Sequence, residues 1–294
     1  MDYSTSSFAS LFQENIFTGK IKIFEFLDLK YKLWEISCQI GCFIEFFDIS
    51  IIFEELDLNE FKVKGTFFER NIRKIIINDS KINSSFLEDI LDLYKLKRLK
   101  IFESEISLEK TMNINNNTIE CFIYRAKCHE SCRYFYELVN LMTNLKRINF
   151  LMDRRINLRW PDAVKINIRH FEFLDVFLYK EYIDISEMKL LSNFEPKELL
   201  HLSAKCETGS LKCLFSRNNF SQVKKLNLSR FVIGNEDVKV FKNNLNSENI
   251  KFFYINLRLI SISDLFCNAK DYNIKYIYLS NIYVSNQIWN LFLN

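Results

Sequence analysis

Cysteine and histidine are the residues of this chain with the most chemical potential, and their spacing is weighed first. Cys128-His129-x-x-Cys132, with Cys121 upstream, supplies half the ligands of a zinc site, and Cys38 and Cys42 supply a second pair. Structural zinc needs four ligands in a tetrahedral array, usually two such pairs brought together. About 90 residues lie between the pairs. In a chain built from short repeats that is several repeats, too far to close one metal shell. The expected state of the eight Cys is therefore buried or half-exposed free thiol, with no metal and no cofactor. Nucleophilic catalysis is no better served. A Cys–His pair needs the imidazole within hydrogen-bond reach, and the only histidines are His129, His170 and His201. There is no G-x-S-x-G turn. The five Gly (19, 41, 65, 209 and 234) never cluster into a loop that could cradle phosphate. Glu54-Glu55 reads as solvated loop charge. The expectation is a protein that is not an enzyme.

Function must then lie in a surface, and composition bounds what that surface can be. Hydrophobic residues at 48% and aromatics at 15% supply ample core material, which argues against wholesale disorder. Gly 5 and Pro 2 argue against a sandwich or barrel full of tight turns. The net charge of +3 is too small to imply nucleic acid, but it is unevenly spread. Residues 1–60 hold eleven acidic side chains and four Lys, so the rest of the chain carries about +10. This reads as an acidic cap followed by ordinary solvated faces, with an acidic or phosphorylated partner as the alternative. Met1 to Lys20 lacks the basic and apolar regions of a secretory signal. No apolar run reaches membrane-spanning length, since Ile36 to Ile52 is broken by Glu45 and Asp48. The expected location is intracellular, cytoplasmic or nuclear, with no membrane partner.

The elements that would build the surface follow from a recurring spacing, L-x-x-L-x-L-x-x-x-x-I. Its clearest copies are Ile72, Ile75, Ile77 and Ile82; Leu96, Leu99, Ile101 and Ile106; Val223, Leu226, Leu228 and Ile233; and Ile274, Ile277, Leu279 and Val284. Copies start at Ile72, Leu96, Ile119, Leu145, Ile168, Pro196, Val223, Ile250 and Ile274, at intervals of 24, 23, 26, 23, 28, 27, 27 and 24 residues. Those at Ile119 and Pro196 are poor, with Tyr124 and His201 in the third apolar slot. Each copy reads as a short strand whose alternate residues face in and out, followed by a return segment. Three returns carry helical spacing. Ser84 to Glu88 opens a capped helix with Leu87, Ile90, Leu91 and Tyr94 along one stripe. Cys132 to Met142 places Phe135, Leu138, Val139 and Met142, and Asn235 to Val238 opens a third with Phe241 and Leu245.

On these residues the chain resembles an intracellular leucine-rich-repeat protein of the irregular, ribonuclease-inhibitor-like kind. The likeness covers residues 72–294 well and 20–71 loosely. It implies an α/β solenoid, a horseshoe with parallel strands on the concave face and helices or irregular returns on the convex face. The implied organisation is a flexible N-terminus over 1–20, a cap or degenerate repeats over 21–71, and about nine repeats over 72–294. Ile21, Phe24 and Phe26, and Ile44, Phe47 and Ile49, are candidate strand positions in the middle segment. The family usually has Asn or Cys at the ninth repeat position. Here that slot holds Ser80, Ser104, Lys127, Asp153, Val176, Ala204, Phe231, Arg258 and Ile282, so an Asn ladder is missing.

A solenoid works through its exposed strand face, and the outward positions are Lys74, Arg98, Cys121, Arg147, His170, Glu198, Lys225, Phe252 and Tyr276, then Ile76, Lys100, Ile123, Asn149, Glu172, Leu200, Asn227, Tyr254 and Tyr278. The series is basic early and aromatic late. The expected partner-binding residues are Phe252, Tyr254, Tyr276 and Tyr278, a two-by-two aromatic patch, with the basic Lys74, Arg98, Lys100 and Arg147. The expected function is a non-catalytic scaffold or adaptor that binds another protein. The alternatives are a nucleic-acid-binding solenoid, against which Glu172 and Glu198 interrupt the basic stripe, and a ubiquitin-ligase substrate receptor. That last class normally begins with a Leu-Pro box, and residues 1–60 contain no Pro.

Overall fold

A computed structural model describes residues 49–64, 67–108, 112, 114–127, 129–152, 169–183, 188, 191–192, 194–216, 223–244, 247–257, 264–265 and 274–284. The protein is α/β, with a large parallel sheet of ten strands and few helices. It divides into two compact units, residues 1–123 with 141–144, and residues 124–140 with 145–294. The candidate strand residues Ile21, Phe24, Phe26, Ile44 and Phe47, and Cys38 and Cys42, lie outside the described residues.

In the first unit β1 (Ile49–Glu54), β2 (Ile72–Asn78) and β4 (Arg98–Phe102) run parallel, with short β3 (Lys81–Asn83) and β5 (Glu105–Ser107) forming a second, two-stranded sheet. Each strand meets its neighbour at equivalent repeat positions. Ile51, Ile75 and Leu99 align, as do Phe53, Ile77 and Ile101. All six are buried. Ile49 falls opposite Ile72, so it takes the first apolar position of its copy and not the third. Helix α1 (Ser84–Leu91) starts where expected, but its cap is Asn83, whose Oδ1 accepts the Phe86 N–H at 2.9 Å. Phe86 packs edge-on to Phe53 and Phe61 at 5.6 and 6.2 Å. Tyr94, expected on the apolar stripe, is instead exposed, because α1 has already ended and the Tyr94 hydroxyl donates to the Arg70 carbonyl. Before β6 (Cys121–Ala126), buried Asn116 pins the chain. Its Nδ2 donates to the Leu91 carbonyl at 2.6 Å, and its Oδ1 accepts the Thr118 and Ile119 N–H groups.

The ninth repeat position is the unit's most regular polar feature. Ser80 Oγ accepts the Leu56 N–H at 3.2 Å and donates to the Asn78 carbonyl at 2.8 Å. Ser104 Oγ does the same one repeat on, accepting the Ser80 N–H at 3.2 Å and donating to the Phe102 carbonyl at 2.9 Å. The two serines thus satisfy the Leu56 and Ser80 N–H groups, which burial would otherwise leave unpaired.

The second unit holds α2 (His129–Leu141, its last residue belonging to the first unit), β7 (Arg147–Met152), β8 (Arg169–Ile183), β9 (Phe194–Cys206), α3 (Ser210–Phe215), β10 (Lys225–Ile233), α4 (Asn235–Asn244), β11 (Asn249–Phe253), β12 (Asn256–Leu257), β13 (Tyr276–Ser280) and β14 (Tyr283–Val284). Tyr124, expected as a defect, is buried, and packs 5.7 Å from Phe135 and 6.2 Å from Phe150. Asp237 caps α4 from a buried position. Its carboxylate accepts the Gly234 N–H at 3.1 Å, and also the Gly209 and Lys212 N–H groups at the start of α3.

Strand pairing corrects the register of three copies. Ile148 faces Leu174 and Phe150 faces Val176, so the fifth copy starts at buried Phe171 and not at Ile168. Pro196 does open the sixth, facing Phe171, but the register slips before Phe173 meets Leu199. Leu200 and Leu202 therefore turn inward, while His201 turns out of the slot that made this copy look poor. Leu226 and Leu228 face Ile250 and Phe252, so the eighth copy begins at Ser247 and not at Ile250. Ser247 is buried, and its hydroxyl donates to the Val223 carbonyl at 2.6 Å. A polar side chain in an apolar slot is tolerated because it is hydrogen-bonded there.

This register exposes a pattern that hydrophobic spacing could not reveal. Among the described residues six non-glycine residues have positive φ: Glu55, Asp79, Glu103, Arg230, Tyr254 and Asn281. All lie at the eighth repeat position; five follow directly on a strand's last residue, and Arg230 lies within β10, where the pairing with β9 shifts register. Their N–H groups reach the next strand's end, Glu55 to the Asn78 carbonyl, Asp79 to Phe102 and Tyr254 to Ser280, at 3.0–3.1 Å. The copies beginning at Ile119 and Leu145 have no such turn. Ala126 and Met152 at that position stay in the strand and are buried.

Candidate functional site

The outward side chains of the strands form the candidate site, taken unit by unit. In the first unit Lys74 and Arg98 are direct cross-strand partners, and Lys100 is paired with Ile76. Arg98 is exposed, and Lys74 and Lys100 are half-buried. Lys74 and Arg98 thus place two cations at directly opposed positions on neighbouring strands. Cys121 is half-buried and forms no disulfide.

In the second unit Arg147 lies over the Phe173 ring, 4.5 Å from its centroid, a cation–π contact the copy starting at Phe171 creates. Next along the strands, Asn149 Nδ2 donates to Asp175 Oδ2 at 3.4 Å, and Asp175 Oδ1 stands 3.1 Å from His201 Nδ1. Phe177 meets the His201 ring edge-on at 4.6 Å. None of Phe173, Asp175 or Phe177 was among the expected outward residues, because the register error placed His170 and Glu172 there. His170 falls in β8, and its side chain lies outside what the structure describes. Glu198, also expected to face out, is half-buried and pairs with Lys224 at 2.7 Å, holding the Lys224 ammonium above the usual lysine range.

At the end of the second unit the expected aromatic patch is changed in membership. Phe252 is 1% exposed, since starting the copy at Ser247 turns it into the core beside Leu228. Phe253 takes its place on the outward side, half-buried, with its ring 5.3 Å from Tyr278. Tyr254 sits at the left-handed turn and is 53% exposed, while Tyr276 and Tyr278 on β13 are 70% and 52% exposed. Tyr283 adds a fourth exposed ring. The structure keeps three of the four expected aromatics on the surface and removes one.

Among the described residues no group of three or more His, Cys, Asp or Glu is arranged to hold a metal ion. Cys206 and Cys213 are buried and form no disulfide, and Cys128 and Cys267 lie outside the described residues. No helix among the described residues is long and apolar enough to cross a membrane. No known family profile and no curated protein matches the chain.

Proposed function

We propose that this chain is a non-catalytic protein-binding scaffold, built as an irregular leucine-rich-repeat solenoid that holds its partner against the outward faces of its strands. The repeat reading is supported by parallel strands paired at equivalent positions about 24 residues apart and by six left-handed residues at one repeat position. The binding reading rests on one observation. Tyr254, Tyr276, Tyr278 and Tyr283 are each more than half exposed at one end of the second unit. Large rings left in water in a cluster carry a free-energy cost that a partner surface relieves, and Tyr is a frequent interface anchor.

The test is affinity capture with the full-length chain, followed by measured binding of the recovered protein to the wild type and to Tyr254→Ala/Tyr276→Ala. Loss of at least tenfold in affinity with an unchanged circular dichroism spectrum supports the assignment, and unchanged binding sinks it. The basic corner at Lys74, Arg98 and Lys100 favours an acidic partner segment. A titration with salt separates this from nucleic-acid binding, in which affinity would fall steeply as counterions compete for phosphate contacts.

A further inference from the structure

We infer that β13 is a self-association edge, at which a second copy of this chain adds its own β13 antiparallel to the first. Four observations converge there. Within the described residues β13 pairs with β11 on one side and with no strand on the other. Each of the other nine strands on the sheet's ten-strand path carries a charged residue, from Glu54 in β1 to Lys251 in β11, whereas β13 reads Tyr-Ile-Tyr-Leu-Ser. An uncharged β-prone edge lacks the devices that keep sheet edges apart. Its inner face is also uncovered. Ile277 and Leu279 are 43% and 37% exposed, while Ile250 and Phe252, their partners on β11, are 0% and 1%.

The fourth observation is the register. The Tyr276 N–H is used by the Glu248 carbonyl on the β11 side. Alternation along the strand then leaves Ile277 and Leu279 presenting their N–H and C=O groups to the open edge. A two-fold axis through Tyr278 sets Ile277 of one copy opposite Leu279 of the other, twice, and these are the residues with free backbone groups. The two pairs exchange four hydrogen bonds and bring four aliphatic side chains together on the inner face, while Tyr278 meets its own counterpart outside. Such an isologous contact closes at two subunits. The charge nearest the strand does not oppose it. Lys275 is engaged by Glu248 at 3.1 Å and falls opposite Asn281, not opposite itself.

Five residues a side bury less than the roughly 1,200 Å² of a stable interface, so the dimer is weak and concentration-dependent. Sedimentation velocity on the full chain without any partner, across a concentration series, should show a monomer–dimer equilibrium. Tyr278→Lys places two ammonium groups face to face and should shift the series to monomer. Tyr278→Cys is the second probe. A non-hydrogen-bonded antiparallel pair has Cα atoms about 4.5 Å apart, within the disulfide window of about 4.4–6.8 Å. Mild oxidation should therefore give a reducible covalent dimer that wild type, with its native thiols, does not form, and Tyr276→Cys, opposite Ser280, should give far less. A wild type that is monomeric throughout overturns the proposal. So does a dimer that survives Tyr278→Lys, or equal cross-linking from positions 276 and 278. Because the readout needs no partner, its failure leaves the partner-binding reading standing, and failed capture by Tyr254→Ala/Tyr276→Ala leaves this one standing.

Discussion

At Asp79 and Glu103 a left-handed residue is followed by a buried hydroxyl, Ser80 or Ser104. At Arg230 and Tyr254 a left-handed residue is followed instead by a buried hydrocarbon, Phe231 or Ile255. The backbone task is similar in both regions, to turn the chain at the eighth repeat position, although β10 runs on past Arg230 to Ile233 where the other three strands end. In the first unit the turn is held by hydrogen bonds that pass from one repeat to the next. Toward the end of the second it is held by packing, with Phe231 and Ile255 fully enclosed. The contrast teaches that a repeat can keep its geometry while exchanging polar satisfaction for apolar burial, provided the slot is committed wholly to one or the other.

Substitution at the two kinds of slot tests that contrast. Phe231→Ala removes a fully buried ring and should cost about 3–5 kcal/mol, read from chemical denaturation. A loss below about 1 kcal/mol would mean the slot is not packed as described. Ser80→Val places a hydrocarbon in a polar slot of similar size. It strands the Leu56 N–H, while the Asn78 carbonyl keeps the Glu55 N–H, and should cost about 1–3 kcal/mol although it adds apolar volume. If Ser80→Val is neutral or stabilising, the two regions do not differ in kind. The smallest effect belongs to the exposed Lys212–Glu236 pair at 2.8 Å, which joins the same helices that buried Asp237 already ties together. Its hydrogen bond holds the Glu236 carboxyl below the usual range and the Lys212 ammonium above its own. Its contribution is present between those ranges. It is lost as pH falls through the lowered Glu236 value and as pH rises through the raised Lys212 value. Melting of wild type and Glu236→Gln should therefore differ slightly near neutrality and coincide in acid below the carboxylate range. A gap that persists there would show that Glu236 acts by something other than its charge.

The strands were legible where the apolar slots held apolar side chains in uninterrupted spacing. Ile72, Leu96 and Leu145 open three copies whose first three slots are all buried. The register failed for three definite reasons. Ile168 competes with Phe171 in a chain dense with both residue types, so two starting points fit one period equally well. The slip after Phe171 and Pro196 adds one residue to a strand, and a one-residue slip turns every following side chain to the other face. Ser247 occupies an apolar slot by hydrogen bonding, which no count of hydrophobic residues detects. Each error moved functional assignments with it. Phe252 was drawn outward, and Phe173, Asp175 and Phe177 were passed over. The left-handed residues left no mark at all, since the chain uses Glu, Asp, Arg, Tyr and Asn where glycine would have signalled the turn.

Those left-handed residues also set a length. At five of the six the strand ends on the residue before, while β10 runs on past Arg230 to Ile233. The segment from Ile72 to Lys95 accordingly begins and ends on equivalent backbone, with Ile72 and Leu96 as matching first residues. Such a block is expected to tolerate duplication in tandem, which cooperative melting of a variant carrying a second Ile72–Lys95 segment would check. The copies starting at Ile119 and Leu145 have no left-handed residue at that position, since Ala126 and Met152 stay in their strands. Two grammars of repeat, one modular and one continuous, are thus written into a single chain.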